Sequence, residues 1–305
     1  MRLLVLPATA LSLALSHAVG DITHGPVLGR PGAEEMSVWV RTRGAGEEVR
    51  VRYGLSEDRL DLVTPAVETA LADDCTAVIR LGDLQPDTRY YYQAFTSDGD
   101  HAPGGSFKTW PSAQQVASEE HNPKGLFNFS FEFACGNNRS PKNGAGPSLP
   151  TYDQLNARVA DQVDFAILNG DWLYEELRTY PPEAWRLVQG LDEYPLSVEV
   201  MPTVVGVWEN YKLYLDRGID LAKWHRNVPS YFTFDDHELV NDIWGSSEAG
   251  KRHRRTVFRD IGTYAWHDYL GWANPMEHDH PIHFGKGKME AGSDLLVDML
   301  SLIHI

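Results

Sequence analysis

Residues 168–176 read LNGDWLYEE, and the reading of this stretch decides the fold. A continuous apolar run, VDFAILN (163–169), stops at Gly170 and Asp171, with Tyr174 three positions further on. Such a run, bounded by a glycine turn, is the pattern of a parallel strand covered on both faces. In an α/β sheet the loops that leave the carboxyl ends of parallel strands carry the site. An acid and a phenol placed there therefore read as functional groups.

Working outward, two further strands share the format. FNFSFEFAC (127–135) alternates apolar and polar residues and opens into GNNRSPKNGAGPS, a loop rich in Gly, Asn and Pro, before a helix expected around TYDQLNARVADQ. VPSYFTFDDHELVND (228–242) is an aromatic and β-branched strand that ends in Asp235, Asp236, His237 and Glu238. Three strand ends thus deliver Cys135, then Asp171 with Tyr174, then the DDHE cluster. Carboxylates, a phenolate, a thiolate and an imidazole gathered in one place repel one another unless cations lie between them, so Asp171 and Tyr174 read as metal ligands. Oxygen-rich sets suit a hard trivalent ion or calcium, magnesium or manganese.

Before residue 111 the pattern changes. SVWVRTR (37–43), EVRVRYG (48–54), CTAVIRL (75–81) and TRYYYQAFT (88–96) alternate with period two and are separated by Gly, Pro and Asp turns, which predicts an antiparallel β-sandwich over residues 23–110. Leu84, Pro86, Thr88 and Tyr90 resemble the corner of fibronectin type III and immunoglobulin-like modules, where a tyrosine closes a sheet edge. The run Tyr90-Tyr91-Tyr92 reads as core in two of its three positions rather than as a binding platform. PSAQQVASEEHNPKG and Leu126 (111–126) form a polar stretch without periodicity, read as a linker, and residues 127–305 form the second domain.

The chain has 305 residues, with 43 Asp and Glu against 27 Lys and Arg, a formal net charge of −16. That charge disfavours stable nucleic-acid binding and requires local cations wherever a phosphate is handled. At the N-terminus, one Arg, an apolar run from Leu3 to Leu15 and the triplet Ser16-His17-Ala18 fit a cleavable secretory signal over 1–18, so the mature chain is expected to be secreted or periplasmic. No segment is long enough to span a membrane. Cys75 and Cys135 lie in segments with no evident relation, and no disulfide is expected between them.

Gly170-Asp171-Trp172-Leu173-Tyr174 resembles the Gly-Asp-x-x-Tyr motif of purple acid phosphatases and related calcineurin-like metallophosphoesterases. With FAC before it, Glu175 after it and FDDHELVND downstream, the set resembles more narrowly the PhoD family, the alkaline phosphatase D type of secreted phosphodiesterase. The resemblance implies an α/β metallophosphoesterase sheet flanked by helices and preceded by a β-sandwich. It also implies Cys135, Asp171 and Tyr174 around an iron(III), Asp236 toward a second metal, calcium or another divalent ion, and His237 beside the phosphate. The implied reaction is hydrolysis of a phosphate ester by a hydroxide held between the metals. Two departures stand out. Phe234 replaces the family's Trp, and Gly136-Asn137-Asn138 replaces a Gln-containing turn, where Asn137 and Asn138 are candidate substrate contacts.

Other acids and histidines carry plainer readings. Asp164 reads as a cap or ion-pair residue, Asp235 as orienting His237 or a backbone amide, and Glu238 as the opening acid of a helix. His278, His280 and His283 read as a polar loop, with a zinc site the lesser reading. The family's later Gly-His-x-His-like segment has no counterpart, and the tail LSLIHI lacks a turn or cap, so the chain is expected to be a C-terminally truncated, inactive fragment. The substrate class is a small phosphate ester or a diester derived from phospholipid or nucleic acid. A phospholipase-D-like or nucleotide phosphodiesterase on the same scaffold, and a non-catalytic secreted binding protein, are the alternatives. The oligomeric state is not legible.

Overall fold

The structure, a computed structural model, describes residues 22–120, 122–126, 128–140, 146, 148–175, 180–239, 241, 254–275, 287–289 and 296–298. The segment read as a signal, His278, His280, His283, His304 and Asp242 lie outside the described residues.

Eight strands come first: β1 (Ile22–Gly29), β2 (Met36–Thr42), β3 (Glu48–Gly54), β4 (Leu62–Val63), β5 (Val67–Glu68), β6 (Thr76–Leu81), β7 (Arg89–Thr96) and β8 (Gly105–Lys108). They form two antiparallel sheets, β1-β2-β6 and β4-β3-β7-β8, with β5 also pairing β3. Period-two alternation puts Val38, Val40, Val49, Val51, Ile79 and Ala94 between the sheets, fully or almost fully buried. Tyr90 and Tyr92 are buried in this region while Tyr91 is only partly covered, as the alternation predicts. The Gln85 N–H donates to the Tyr90 hydroxyl at 2.9 Å, the tyrosine-corner bond expected of Leu84-x-Pro86-x-Thr88-x-Tyr90.

The polar stretch after residue 110 holds a short helix, α1 (Ala113–Ala117), where no periodicity announced one. Its stability is local. The Ser112 side chain accepts from the Gln115 N–H, and the Gln115 side chain accepts from the Ser112 N–H, a reciprocal capping box.

The second region is built on β9 (Phe131–Ala134), β10 (Phe165–Asn169) and β11 (Ser230–Thr233), parallel in the order β11-β10-β9. Between and after them run α2 (Thr151–Arg158), α3 (Pro182–Val188), α4 (Leu196–Val200), α5 (Val204–Arg217), α6 (Ile219–Asn227), α7 (Asp236–Leu239) and α8 (Arg254–Tyr269). Two three-residue strands, β12 (Gly287–Met289) and β13 (Leu296–Asp298), pair antiparallel. No described helix is long and apolar enough to cross a membrane.

The parity of β9 is the reverse of what aromatic alternation suggests. Phe131 and Phe133 are 47% and 60% exposed, whereas Glu132 and Ala134 turn inward. Ala134 packs on the large core and so sets the parity. Phe131 instead stacks on Phe165, at 5.5 Å between centroids with planes 7° apart, and Phe129 lies on Phe165 at 5.7 Å.

The sandwich is welded to the second region. Val27 and Trp39 belong to the core cluster of α5, α6 and α8, and the Trp39 indole N–H donates to the Asp268 carbonyl at 2.8 Å. Asp74, fully buried, meets Arg41 at 3.0 Å within the sandwich, and across the seam it meets Lys212 of α5 at 3.1 Å and the Tyr269 hydroxyl at 2.6 Å. Burial alone would raise the Asp74 pKa, but Lys212 and Arg41 outweigh it and hold the carboxyl well below the usual range.

Candidate metal centre

Each site residue arrives from a strand end. Cys135 follows β9, and the loop behind it is held to the next strand end by the Gly136 N–H to the Gly170 carbonyl at 3.3 Å and the Asn137 N–H to the Asp171 carbonyl at 2.8 Å. After β10 the chain turns through Gly170 and Asp171, both in the left-handed region with φ of 76° and 53°. A Cβ on Gly170 would sit 2.6 Å from the Asp235 Cβ and 2.9 Å from its nitrogen, so the closeness of the β10 and β11 ends demands glycine there. Trp172 is not part of the open site. It is buried against Tyr211 at 5.7 Å and donates through Nε1 to His225 Nε2 at 3.0 Å.

Asp171, Asp236 and His237 converge, each half-buried, with one ligating atom from each lying within 4.8 Å of the others. The Tyr174 hydroxyl donates to Asp171 Oδ2 at 3.1 Å, and its ring lies 3.9 Å, centroid to centroid, from the His237 imidazole. Of the four predicted ligands, Asp171 and Asp236 are in this group and Tyr174 is joined to it through Asp171. Cys135 lies outside the group, exposed and reduced, but close enough for its titration to feel Asp171.

The electrostatics show what the group needs. Partial burial raises the Asp171 pKa, and Asp235 and Asp236 raise it further, against the lowering effect of the Tyr174 hydrogen bond and His237. Tyr174 is raised by desolvation and by Asp171, and Cys135 by desolvation and then by Asp171, Asp235 and Glu238. Asp171 Oδ1 is buried without a hydrogen-bond partner, a cost a carboxylate oxygen rarely bears without a compensating ligand. Asp171, Tyr174 and Cys135, each raised by acidic neighbours beside an orphaned carboxylate oxygen, fit a cation.

Several neighbours play parts different from, or beyond, their sequence readings. Glu238 does not simply open a helix. Fully buried, it accepts from the N–H groups of Asp171 at 3.0 Å, Trp172 at 2.5 Å and Asp235 at 2.8 Å, so one carboxylate ties two strand ends together. Desolvation, against those three bonds, pushes its pKa up to about 7. The Asp235 bond is the local one that Asp-x-x-Glu at a helix start signals, but nothing in DDHE signals the bonds from Asp171 and Trp172. Asp235 accepts from the Asp236 N–H at 2.9 Å, the amide-orienting role expected. Asp164 accepts from the Ser130 N–H at 2.8 Å and bridges the chain ahead of β9 and β10. Asn137 is engaged inside the loop, donating to the Trp172 carbonyl at 3.3 Å and accepting from the Tyr152 hydroxyl at 3.0 Å, and Asn138 accepts from the Ser140 N–H at 2.8 Å. Glu175, which the residue chemistry did not single out, contacts His237. Its place directly after Tyr174 in the motif was the available signal.

A parallel sheet whose strand ends gather carboxylates, an imidazole and a phenol around an orphaned oxygen defines an α/β protein with a candidate metal site. The chain belongs to the PhoD-like phosphatase family: the family's profile matches residues 129–294, and that of its N-terminal domain matches residues 8–111. Among solved structures it is similar to PhoD, with a TM-score of 0.59 and 17% identity over 83% of this chain and 47% of that one. It is also similar to the purple acid phosphatase PPD1 from yellow lupin (Lupinus luteus) seeds, with a TM-score of 0.51 and 13% identity over 88% of this chain and 43% of that one. The chain therefore spans about half the length of these structures, and at such identities the likeness concerns the fold. A comparison with curated proteins gives no significant match.

Proposed function

We propose that this chain carries the site of a secreted, metal-dependent phosphatase or phosphodiesterase. The observation that supports this most directly is the convergence of Asp171, Asp236 and His237 beside the orphaned Asp171 Oδ1 in a chain of the PhoD-like family. In this reading Cys135, Asp171 and Tyr174 hold an iron(III), and Asp236 holds a second, divalent ion such as calcium. When bound, the ions polarise the phosphoryl group and activate water.

The chain's own residues then do the following. Asp171 offers a carboxylate whose Oδ2 accepts from the Tyr174 hydroxyl and whose Oδ1 is buried without a hydrogen-bond partner. Tyr174 must release its phenolic proton to become a ligand, which burial and Asp171 oppose until a cation arrives. Glu238 keeps the Asp171 and Asp235 backbones at a fixed separation. His237, in its doubly protonated form, donates to a phosphoryl or leaving-group oxygen, a contribution on the order of 10² to 10⁴ in rate for a general acid. The net charge of −16 makes these few cation-holding positions the places where an anionic ester can bind.

The test is Asp236→Ala in the full chain, assayed for metal content and for hydrolysis of a p-nitrophenyl phosphodiester. The expected result is lost turnover and reduced bound metal with an unchanged circular dichroism spectrum. Near-normal turnover would overturn the assignment.

A further inference from the structure

The Tyr174-Glu175 dipeptide holds one ring from two directions. The Tyr174 ring packs against the His237 imidazole with centroids 3.9 Å apart and planes tilted by 38°, while the Glu175 carboxylate grips the ring's edge, with Oε2 2.7 Å from Nδ1. The other Glu175 oxygen, Oε1, accepts the backbone N–H of Asn241, so the carboxylate spans both the ring and the chain that follows α7. With both oxygens directed, it is not free to swing. The dipeptide itself is anchored: the Tyr174 N–H donates to the Tyr214 hydroxyl at 3.0 Å, and its carbonyl accepts from Asn210 Nδ2 at 2.7 Å. Both partners of the pair are shielded, with side-chain exposures of 18% for His237 and 21% for Glu175. A solvated surface pair would show neither the doubly engaged carboxylate nor the closely packed ring.

We propose that Glu175 is the positioning residue of His237, fixing the ring plane and its tautomer so that Nε2 is the nitrogen with which the imidazole serves the centre. An ionised carboxylate only accepts hydrogen bonds, so the nitrogen facing it must carry hydrogen. In the neutral ring Nδ1–H toward Glu175 makes Nε2 the lone-pair nitrogen, and a carboxylate behind a site histidine is a recurrent way of setting its tautomer and orientation. The role of Nε2 toward substrate rests on the proposed function. The orientation of the ring does not.

The experiment is therefore in two parts, both on the full chain. Long-range ¹⁵N–¹H spectra of metal-free protein at alkaline pH, with the His237 signals assigned by their loss in His237→Gln, report the tautomer directly. The expected result is the Nδ1–H form in the wild type and a shift toward the Nε2–H form, which a free imidazole prefers, in Glu175→Ala. Should that variant fail to fold, Glu175→Gln carries the same test, since the NH2 that replaces one carboxylate oxygen can accept from neither Nδ1–H nor the Asn241 N–H. A wild-type ring already in the Nε2–H form, or a tautomer unchanged in the variant that folds, overturns the proposal.

The second part compares hydrolysis by Glu175→Ala, His237→Ala and the double variant. Loss of the positioning carboxylate is expected to lower kcat by about 10- to 100-fold with KM little changed. The double variant should then be no worse than His237→Ala alone. If His237→Ala is inactive while Glu175→Ala turns over normally, or if the two losses multiply, Glu175 does not act through His237 and this inference fails while the site reading stands. Wild-type turnover in His237→Ala defeats the site reading itself.

Discussion

Glu238 accepts the backbone N–H of Asp171 at 3.0 Å across 67 positions of sequence, and this bond holds the β10 end against the β11 end. Because the same carboxylate also takes the N–H groups of Trp172 and Asp235, replacing it leaves three donors without their acceptor. Glu238→Ala should destabilise the fold by about 3 kcal/mol or more, at about 1–3 kcal/mol for each buried group left unsatisfied. Denaturant unfolding measures the loss, and a change within about 0.5 kcal/mol would show that the loop is held by other contacts.

His225 links the core to acid sensitivity. Burial lowers its pKa from the ordinary 6.5 to about 3, and its Nε2 must stay unprotonated to accept from Trp172. The unfolded chain takes up a proton near pH 6.5 that the folded chain refuses. Stability is therefore full above that pH and falls below it, by up to about 1.4 kcal/mol per pH unit, until the folded pKa is reached. Unfolding curves between pH 7 and 5 should show this slope, and His225→Gln should flatten it.

Gly170→Ala should be among the costliest small substitutions. Its φ of 76° penalises any side chain, and the new methyl would meet Asp235 at 2.6 Å. About 2–4 kcal/mol of lost stability is expected from strain and overpacking together. Metal binding should weaken in step, because the displaced atoms lie between Asp171 and Asp236. A variant with wild-type melting temperature and metal affinity would contradict the close approach.

At the seam, Asp74→Ala leaves Arg41 and Lys212 buried without their shared acid, a loss worth about 3–5 kcal/mol. Since Trp39 and Val27 lie in the same core as α5 and α8, sandwich and sheet should melt together at lower temperature. Calorimetry showing two separate transitions, with only one shifted, would mean that the two regions unfold independently.

Tyr174→Phe tests the iron assignment. An iron-loaded protein should show a visible phenolate-to-metal band that the variant lacks, and metal uptake should strengthen with pH because the phenol must lose its proton. A spectrum unaltered by the substitution would remove Tyr174 from the ligand set.

The sequence by itself determined the local features: the sandwich strands, the corner at Tyr90, β10 ending at Gly170-Asp171, and the order of Cys135, Asp171, Tyr174, Asp236 and His237 along successive strand ends. These are legible because period-two alternation, apolar runs and glycine punctuation are written in consecutive residues. Tertiary structure alone decided which groups meet. It gathered Asp171, Asp236 and His237 but left Cys135 outside that trio, turned Phe131 and Phe133 outward, and set Asp74 against Lys212. It also gave Glu238 and Glu175 their work. The place of Glu175 after Tyr174 marks the residue but not its partner, and the bonds of Glu238 to Asp171 and Trp172 have no local pattern, since these partners are supplied by other strand ends and chosen by packing.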